Sequence, residues 1–294
     1  MIHTISPAAA AETADALRFV FRTPERAGPY LAALGGGERD PVGLFVARRE
    51  GGEVCGAILA QPLRGGLGVA WPPRAESPEA EDALVHAAAD WLHRSGVKVC
   101  QAFATDDELP DLSPLVRNGF VRTTELVFLR RPLVADEVFP EPKHPIVFEP
   151  ESPPFSDRFR AALLDTHDRS MDCPELTGGR TDDELLASFS EWGVGNEWFL
   201  AVDRDVVLGV VLFAPGAGPD ELELSYLGVV PLFRRCGYGG ELLDFAIAAA
   251  TLSKVKGLSV TVDARNEPGL KLYTRRGFVE TLRQSVFLAQ WAAG

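Results

Sequence analysis

Two hydrophobic periods alternate along the chain, and each change of period marks an element. Helical spacing of apolar residues runs from Ala8 to Phe21 and again from Ser156 to Ser170. Behind each stretch stand two short apolar runs around a polar turn, GLFVARREGGEVCGAILAQP in the first half and EWFLAVDRDVVLGVVLFAP in the second. Their β-branched content and their Gly-Gly or Asp-Arg-Asp turns predict antiparallel hairpins. A further strand and an amphipathic helix come next. Leu84, Ala88, Trp91 and Leu92 stripe the first such helix, and Leu242, Leu243, Ala246, Ile247 and Ala250 stripe its counterpart. Gly96 and Gly257 stand where C-terminal caps are expected. Each half then adds a strand, VKVCQAFA or GLSVTVDA, and closes on a similar phrase, LVRNGFVRTTELVFLRR or LYTRRGFVETLRQSVFLAQ.

The pattern is therefore written twice, with Gly119-Phe120 and Gly277-Phe278 one domain length apart. Solenoid repeats recur every 20–50 residues or so, which excludes that class. Prolines crowd the stretch from Pro132 to Pro154, where they can neither continue a helix nor donate inside a sheet. The expected division is a first domain at 1–135, a linker at 136–154 and a second domain at 146–294, with Ile146-Val147-Phe148 opening its sheet. Each domain is expected to be α/β (α+β), a mixed, mostly antiparallel twisted sheet flanked by helices.

Composition narrows the function classes. The 294 residues carry 29 Lys+Arg against 42 Asp+Glu, a net charge of −13, which argues against a nucleic-acid binder or an anionic membrane surface. No apolar run approaches the roughly 20 residues of a transmembrane helix. The N-terminal stretch lacks a basic n-region and reads as a helix, not a signal peptide. Cys55, Cys100, Cys173 and Cys236 are scattered without metal-ligand spacing, so no metal and a reduced, cytoplasmic setting are expected.

Chemistry concentrates between Glu221 and Phe278. There a strand, ELELSYLGVV, runs into the Gly-rich turn PLFRRCGYGG, which opens a helix. The first amides of a helix have no internal partners and, with the helix dipole, bind anions. Gly237, Gly239 and Gly240 clear side chains from that approach, and Arg234 and Arg235 place cationic donors beside it. No Gly-Lys-Ser/Thr follows, and Leu242 stands where a dinucleotide fingerprint needs glycine. Cys236 sits where a helix N-terminus favours a thiolate, but no histidine lies near it in sequence.

Arg234-Arg235-Cys236-Gly237-Tyr238-Gly239 resembles the R/Q-x-x-G-x-G/A signature of the GNAT superfamily of acyl-CoA-dependent N-acetyltransferases. Asn266, Leu272-Tyr273 and Gly277-Phe278 resemble that family's second motif, with Pro268-Gly269-Leu270 as a departure that a first helical turn tolerates. The resemblance covers about the last 150 residues and implies acetyl-CoA as co-substrate and an amine as acceptor. It implies that the strand end at Leu227, Gly228 and Val229 bonds the pantetheine arm. The loop from Arg235 through Cys236, Gly237, Tyr238 and Gly239 to Gly240 would hold the pyrophosphate. Asn266 would orient the cofactor or its own helix. Lys271, Arg275 and Arg276 stand near the second motif, either reaching the 3′-phosphate or lying on a solvated face. Tyr273 matches the tyrosine that serves as general acid, and a phenol keeps its proton at pH 7.

Glu223, eleven positions before Arg234, resembles the glutamate base of the family's histone acetyltransferases, with Glu221 and Tyr226 in reserve. Strand alternation puts Glu221, Glu223 and Ser225 on one face and Leu222, Leu224 and Tyr226 on the other. The acidic segment THDRSMDCPELTGGRTDDELLASFSEW is either a greeting surface for a cationic amine or an ordinary exposed helix–loop–helix. In the first half, Pro78, Glu76 and Glu79 replace the phosphate loop and Val116 replaces the tyrosine. That copy is expected to keep the fold, lose the chemistry and pack on the active half. Two other readings stand: an acyl-CoA sensor without turnover, and acetylation of a cysteinyl amino-sugar, since an active second half resembles the mycothiol synthases.

Overall fold

The computed structural model describes residues 4–21, 43–135, 137–139, 141–189 and 197–291. Contacts divide it into two compact units, Met1–Thr123 with Gly178–Arg180 and Gln284–Gly294, and Thr124–Thr177 with Thr181–Arg283.

In the first unit β1 (Thr4–Pro7), β2 (Leu44–Arg48), β3 (Val54–Pro62), β4 (Leu67–Ala70) and β6 (Val99–Ala104) lie side by side. All pairs are antiparallel except β4 with β6, and β5 (Arg74–Ala75) pairs with β3. Period-2 alternation sorts the side chains. Leu44 and Val46 face α1 (Thr13–Val20), whereas Phe45 and Ala47 face α2 (Pro78–Arg94). A short α3 (Ser113–Arg117) adds Leu115 to the α2 side. The free edge of β6 is completed from the other end of the chain. In β13 (Val279–Gln290), Ser285–Gln290 run antiparallel to Ala104–Val99. Phe287 and Ala289 thereby join the α2 core.

The second unit repeats the plan. β8 (Val147–Glu151), β9 (Trp198–Asp203), β10 (Val206–Pro215), β11 (Glu221–Val229), β12 (Gly257–Asp263) and most of β7 (Val121–Pro132) form its sheet in that order. Only β11 with β12 is parallel. On one face, α6 (Tyr238–Leu252) buries the stripe Leu242, Leu243, Ala246, Ile247 and Ala250 against Val211, Phe213 and Leu258. On the other, α4 (Asp157–Asp165) sets Phe159, Ala162 and Leu163 against Trp198, Leu200 and Leu212. Ser156 starts α4 by accepting the Phe159 amide at 3.1 Å. A short α5 (Asp182–Phe189) follows, and α7 (Glu267–Thr274) lies between β12 and β13.

Three features differ from the sequence reading. The compact units part at Thr123/Thr124 rather than in the proline-rich stretch, and residues 284–290 return to the first unit. The closing phrases do form strands, but each half's closing strand finds its ladder in the other half's unit: β7 on β12, β13 on β6. Alternation fixes which face of a strand is buried, not which edge it pairs with. Gly257 is also not a helix cap. The helix ends at Leu252 and the left-handed turn falls on Lys254, at φ +60°. Gly257 opens β12 instead. A Cβ there would lie 2.3 Å from the Glu221 carboxylate and 2.6 Å from Arg130 Nη2, so its glycine makes room for that ion pair. Gly96 does take the left-handed turn after α2, at φ +83°. Among the described residues no helix is long and apolar enough to cross a membrane.

Phe287 is almost fully buried. Phe287→Ala should cost about 3 kcal/mol, and the loss should fall on the first unit. Hydrogen exchange followed by mass spectrometry should report faster exchange in β2, β3 and β6 and unchanged protection in β9 to β12.

Candidate active site

The ladder between β11 and β12 is three residues long, from Glu221–Gly257 to Glu223–Ser259. Beyond it β11 stays with β10 as far as Val229, and β12 stays with β7 as far as Asp263. The parallel pair therefore opens as a fork. Its cause is a β-bulge: Leu212 faces Tyr226 and Phe213 faces Leu224, leaving Ser225 as the extra residue. A bulge bends its strand and increases the local twist. It also reverses the alternation. Leu222 and Leu224 lie toward α6, and so do Leu227 and Val229, while Tyr226 packs among the α4 side chains. The expectation that Tyr226 shares a face with Leu222 and Leu224 is thus corrected. Tyr226 lies on the opposite side, the side of Glu223.

At the end of β11 the chain turns through Arg235, at φ +67°, and Gly237, at φ +97°, into α6. Among the described residues the amides of Arg235, Cys236, Gly237, Tyr238 and Gly239 donate to no backbone carbonyl. That is the row of unsatisfied donors an anion requires. A Cβ at Gly237 would meet nothing within 4 Å, so the left-handed φ is what that position demands of glycine. A Cβ at Gly240 would come within 2.7 Å of Arg276 Nη2, and Arg276 is held by Asp244 at 2.9 and 3.0 Å. Arg276 is thus committed inside the fold, and Lys271 pairs with Glu267 at 2.8 Å on the surface. Tyr238 packs against His144, its ring tilted by 38° with centroids 4.3 Å apart, and Cys236 Sγ is exposed near the Arg234 carbonyl.

Arg234 does not point its donors at the anion site. Its Nε donates to the Val229 carbonyl at 3.0 Å, Nη2 to Thr166 at 2.9 Å and Nη1 to Arg169 at 3.2 Å. It therefore ties the segment after α4 to the end of β11. Arg235 is exposed beside the loop.

The fork leads into a cavity of about 350 Å³ lined by Thr166, Arg169 to Asp172, Tyr226 to Val229, Arg234, Arg235, Gly239, Asn266, Pro268, Gly269 and Leu272. The structure thus brings together the strand end, the glycine loop and the second motif. Asn266 caps α7 through the Gly269 amide at 3.0 Å and donates to Asp172 at 3.4 Å. Pro268 sits in the first turn of that helix, where no donor is needed. Tyr273 is buried, edge-on to Phe278 at 5.6 Å. Burial, then the nearby charges of Asp172 and Tyr226, raise its pKa, so it holds its proton.

Neither Tyr273 nor Glu223 is a lining residue of the cavity. Burial alone raises the pKa of Glu223, which is half-buried on β11. Glu221 is excluded as a base because Arg130 holds it at 2.6 Å. Tyr226 is excluded by counting protons. Thr166 Oγ1 spends its hydrogen on the Leu163 carbonyl at 2.7 Å, so Tyr226, 3.0 Å from the same oxygen, must donate to it. Gly228 is required for that contact, since a Cβ would stand 2.6 Å from Thr166 Cβ.

Sequence reasoning missed Asp263 and Asp172. Asp263 ends β12 fully buried. Its carboxylate accepts Thr124 Oγ1 at 2.6 Å, the Cys173 amide at 3.0 Å, the Arg265 amide at 2.8 Å and Arg265 Nη2 at 2.8 Å. Burial works to raise its pKa, but Arg265, Thr124 and the two amides together hold it below the ordinary value. Arg265 also grips Glu175 at 2.7 and 2.8 Å. Asp172 then accepts the Asp263 amide at 2.7 Å. Cys173 is buried, and burial pushes its thiol up to about 12, which leaves it inert. The signals were Asp263 ending an apolar strand and two acids flanking Cys173, but their partners lie some 90 residues apart in sequence. Of the acidic segment read as an acceptor surface, residues 190–192 lie outside the described residues.

A forked parallel strand pair, a row of unsatisfied amides at a glycine-turned helix and a capped second helix are the features of a GNAT-like fold. Residues 163–278 match the model of the Acetyltransferase (GNAT) family, so the chain carries a domain of that family. Solved structures extend the likeness to both units. A GCN5-related N-acetyltransferase from Sphaerobacter thermophilus aligns over 99% of this chain and 96% of its own, at TM-score 0.64 and 17% identity. A tandem GNAT protein from the clavulanic acid biosynthesis pathway aligns over 100% of both chains, at 0.58 and 15%. A GCN5-related N-acetyltransferase from Anabaena variabilis covers 98% of this chain and 72% of its own, at 0.55 and 10%. These identities speak for the fold. Comparison with curated protein sequences gave no significant match.

The native Asp263 carboxyl takes up a proton less readily than the unfolded one. Its stabilisation is therefore complete at neutral pH, starts to fade near the unfolded value of about 3.9 and is gone below the native value. Asp263→Asn should lower stability by about 2 kcal/mol at pH 7. The difference from wild type in urea midpoints should shrink as the pH falls through that window.

Proposed function

We propose that the second unit transfers an acetyl group from acetyl-CoA to a primary amine of a small molecule or peptide, by direct attack of the amine. The observation that carries this reading is the fork: three ladder pairs, then an open strand edge at Leu227 to Val229 leading to the free amides before α6. A pantetheine arm offers amides that bond to an open strand edge. A pyrophosphate matches the helix N-terminus, with Arg235 at its side. The cavity at the fork and the absence of side chains at Gly237 and Gly239 support this reading.

Acetyl-CoA brings an activated thioester carbonyl. The residues divide the remaining work. Glu223, its affinity for protons raised by burial, takes a proton from the acceptor ammonium. The amine nitrogen bonds to the carbonyl carbon as the carbon–sulfur bond breaks. Tyr273 gives its hydrogen to the departing sulfur, and the second proton that the nitrogen sheds as the amide forms restores the phenol, while Glu223 returns the first to solvent. Arg234 and Asn266 act as positioning groups, one tying the segment after α4 to β11, the other starting α7.

The first unit is proposed to bind no acyl-CoA. Where the loop would stand, Ser77 caps α2 and Pro78 occupies its first turn. Glu79 is held below the ordinary carboxylate value by its own amide and then by Ser77, so an internal anion answers that helix end. Val116, in place of the tyrosine, is exposed.

Titration calorimetry should find one acetyl-CoA site per chain. Gly237→Glu places a carboxylate and a strained left-handed residue at the anion site, and it should weaken binding at least about 100-fold; unchanged affinity would remove the loop from the site. Tyr273→Phe should cut kcat by about 100-fold and change acetyl-CoA affinity less than about threefold. The free-thiol assay that reports CoA release checks this, and full wild-type turnover would overturn the assignment.

A further inference from the structure

We propose that Asp172 receives the positive charge of the acceptor, so that this cavity selects amines that arrive as ammonium ions. The inference rests on the acetyl-transfer reading above and names the substrate class of that site.

Asp172 is the one acid among the described residues lining the cavity. It stands at the end of the β12 arm of the fork, while Arg235 and the free amides stand at the end of the β11 arm. The cavity is therefore bipolar, with an anion site on one arm and a carboxylate on the other.

Three other acids of the same segment have partners of their own. Glu175 is gripped by Arg265, Glu184 closes a capping box with Thr181, and Asp183 pairs with Arg160 at 3.0 Å. Asp172 accepts only an amide, at 2.7 Å, and a long side-chain contact from Asn266, at 3.4 Å. Among the described residues no cation pairs with it. A carboxylate that lines a cleft, with one oxygen on an amide, the other only at 3.4 Å from Asn266 and no counter-ion, supplies the charge-assisted acceptor that an ammonium seeks. Surrounding protein also desolvates the group despite its opening to the cleft, which raises its pKa and strengthens any bond to a cation there.

The segment is built to keep Asp172 in place. Arg234 holds the carbonyls of Thr166 and Arg169, and Asp263 holds the Cys173 amide. The residue that ties the wall to the phosphate loop therefore also fixes the distance between the two poles of the cavity.

The test uses the full chain, wild type and Asp172→Asn, which keeps an oxygen for the Asp263 amide but loses the charge. Acceptor probes are 1,4-diaminobutane and lysine amide, both cationic at neutral pH, and aniline, which is neutral. Wild type should prefer the cationic probes in kcat/KM. Asp172→Asn should raise the KM for them about tenfold or more, leave aniline unchanged within twofold and bind acetyl-CoA with wild-type affinity by calorimetry. Unchanged discrimination in the variant overturns the inference, as does a wild type that binds acetyl-CoA and transfers to neither cationic probe. A variant that loses acetyl-CoA affinity instead also overturns it, and places Asp172 with the co-substrate. A wild type that binds no acetyl-CoA overturns the acetyl-transfer reading itself.

Discussion

The site depends on one interrupted ladder. Parallel strands normally stay paired along their shared length, because each lost pair leaves backbone donors and acceptors unsatisfied. Here β11 and β12 part after three residues, at the bulge on Ser225. The bulge supplies the bend, and the fold then supports the two arms separately. β10 holds one arm and β7 the other, so neither collapses into the gap. What remains between the two arms is the gap that the cavity occupies.

The polar network around the fork follows from that opening. Once β12 is released, its last residue needs new partners, and Asp263 gathers Thr124, Cys173 and Arg265. Once β11 is released, the Val229 carbonyl is taken by Arg234, which reaches on to Thr166 and Arg169. Both networks converge on the segment after α4. A motif arginine that a sequence reading assigns to phosphate is thus spent on holding the opposite wall. A buried aspartate that no motif contains becomes the anchor of that wall. The two are coupled through the same segment, Thr166 to Cys173, which makes the shape of the cavity a property of the whole fork.

Duplication explains why one half can hold such a site and the other need not. The plan of strands and helices recurs, and its cores are carried by the same apolar stripes on α2 and α6. Stability asks only for those stripes. Anion binding asks in addition for a helix start with glycine at positive φ and no internal carboxylate. The second unit has a glycine at positive φ there, Gly237, whereas in the first Ser77 caps the helix, Pro78 follows and Glu79 is held below the ordinary carboxylate value.

Much of this was written in the order of residues. Strand and helix periods, the doubled plan and the glycine turn into α6 are local features, set by side chains within a few positions of one another. The α/β class and the GNAT domain followed from them. Tertiary structure decided what depends on pairing over long separations. Alternation could not say that β13 closes the first unit's sheet and β7 the second's, because an edge is chosen by what lies beside it. Nor could it foresee that one extra residue at Ser225 would turn Tyr226 away from Leu224, since a bulge is visible only against the strand it faces. Asp172 and Asp263 lie on segments some 90 residues apart, and only the folded chain brings their charges and amides within hydrogen-bonding distance. The sequence marked the glycine turn into α6, where the amides stand without backbone partners. The fold determined which groups surround it, because hydrogen bonds and charges act over a few ångströms and the chain alone does not set those distances.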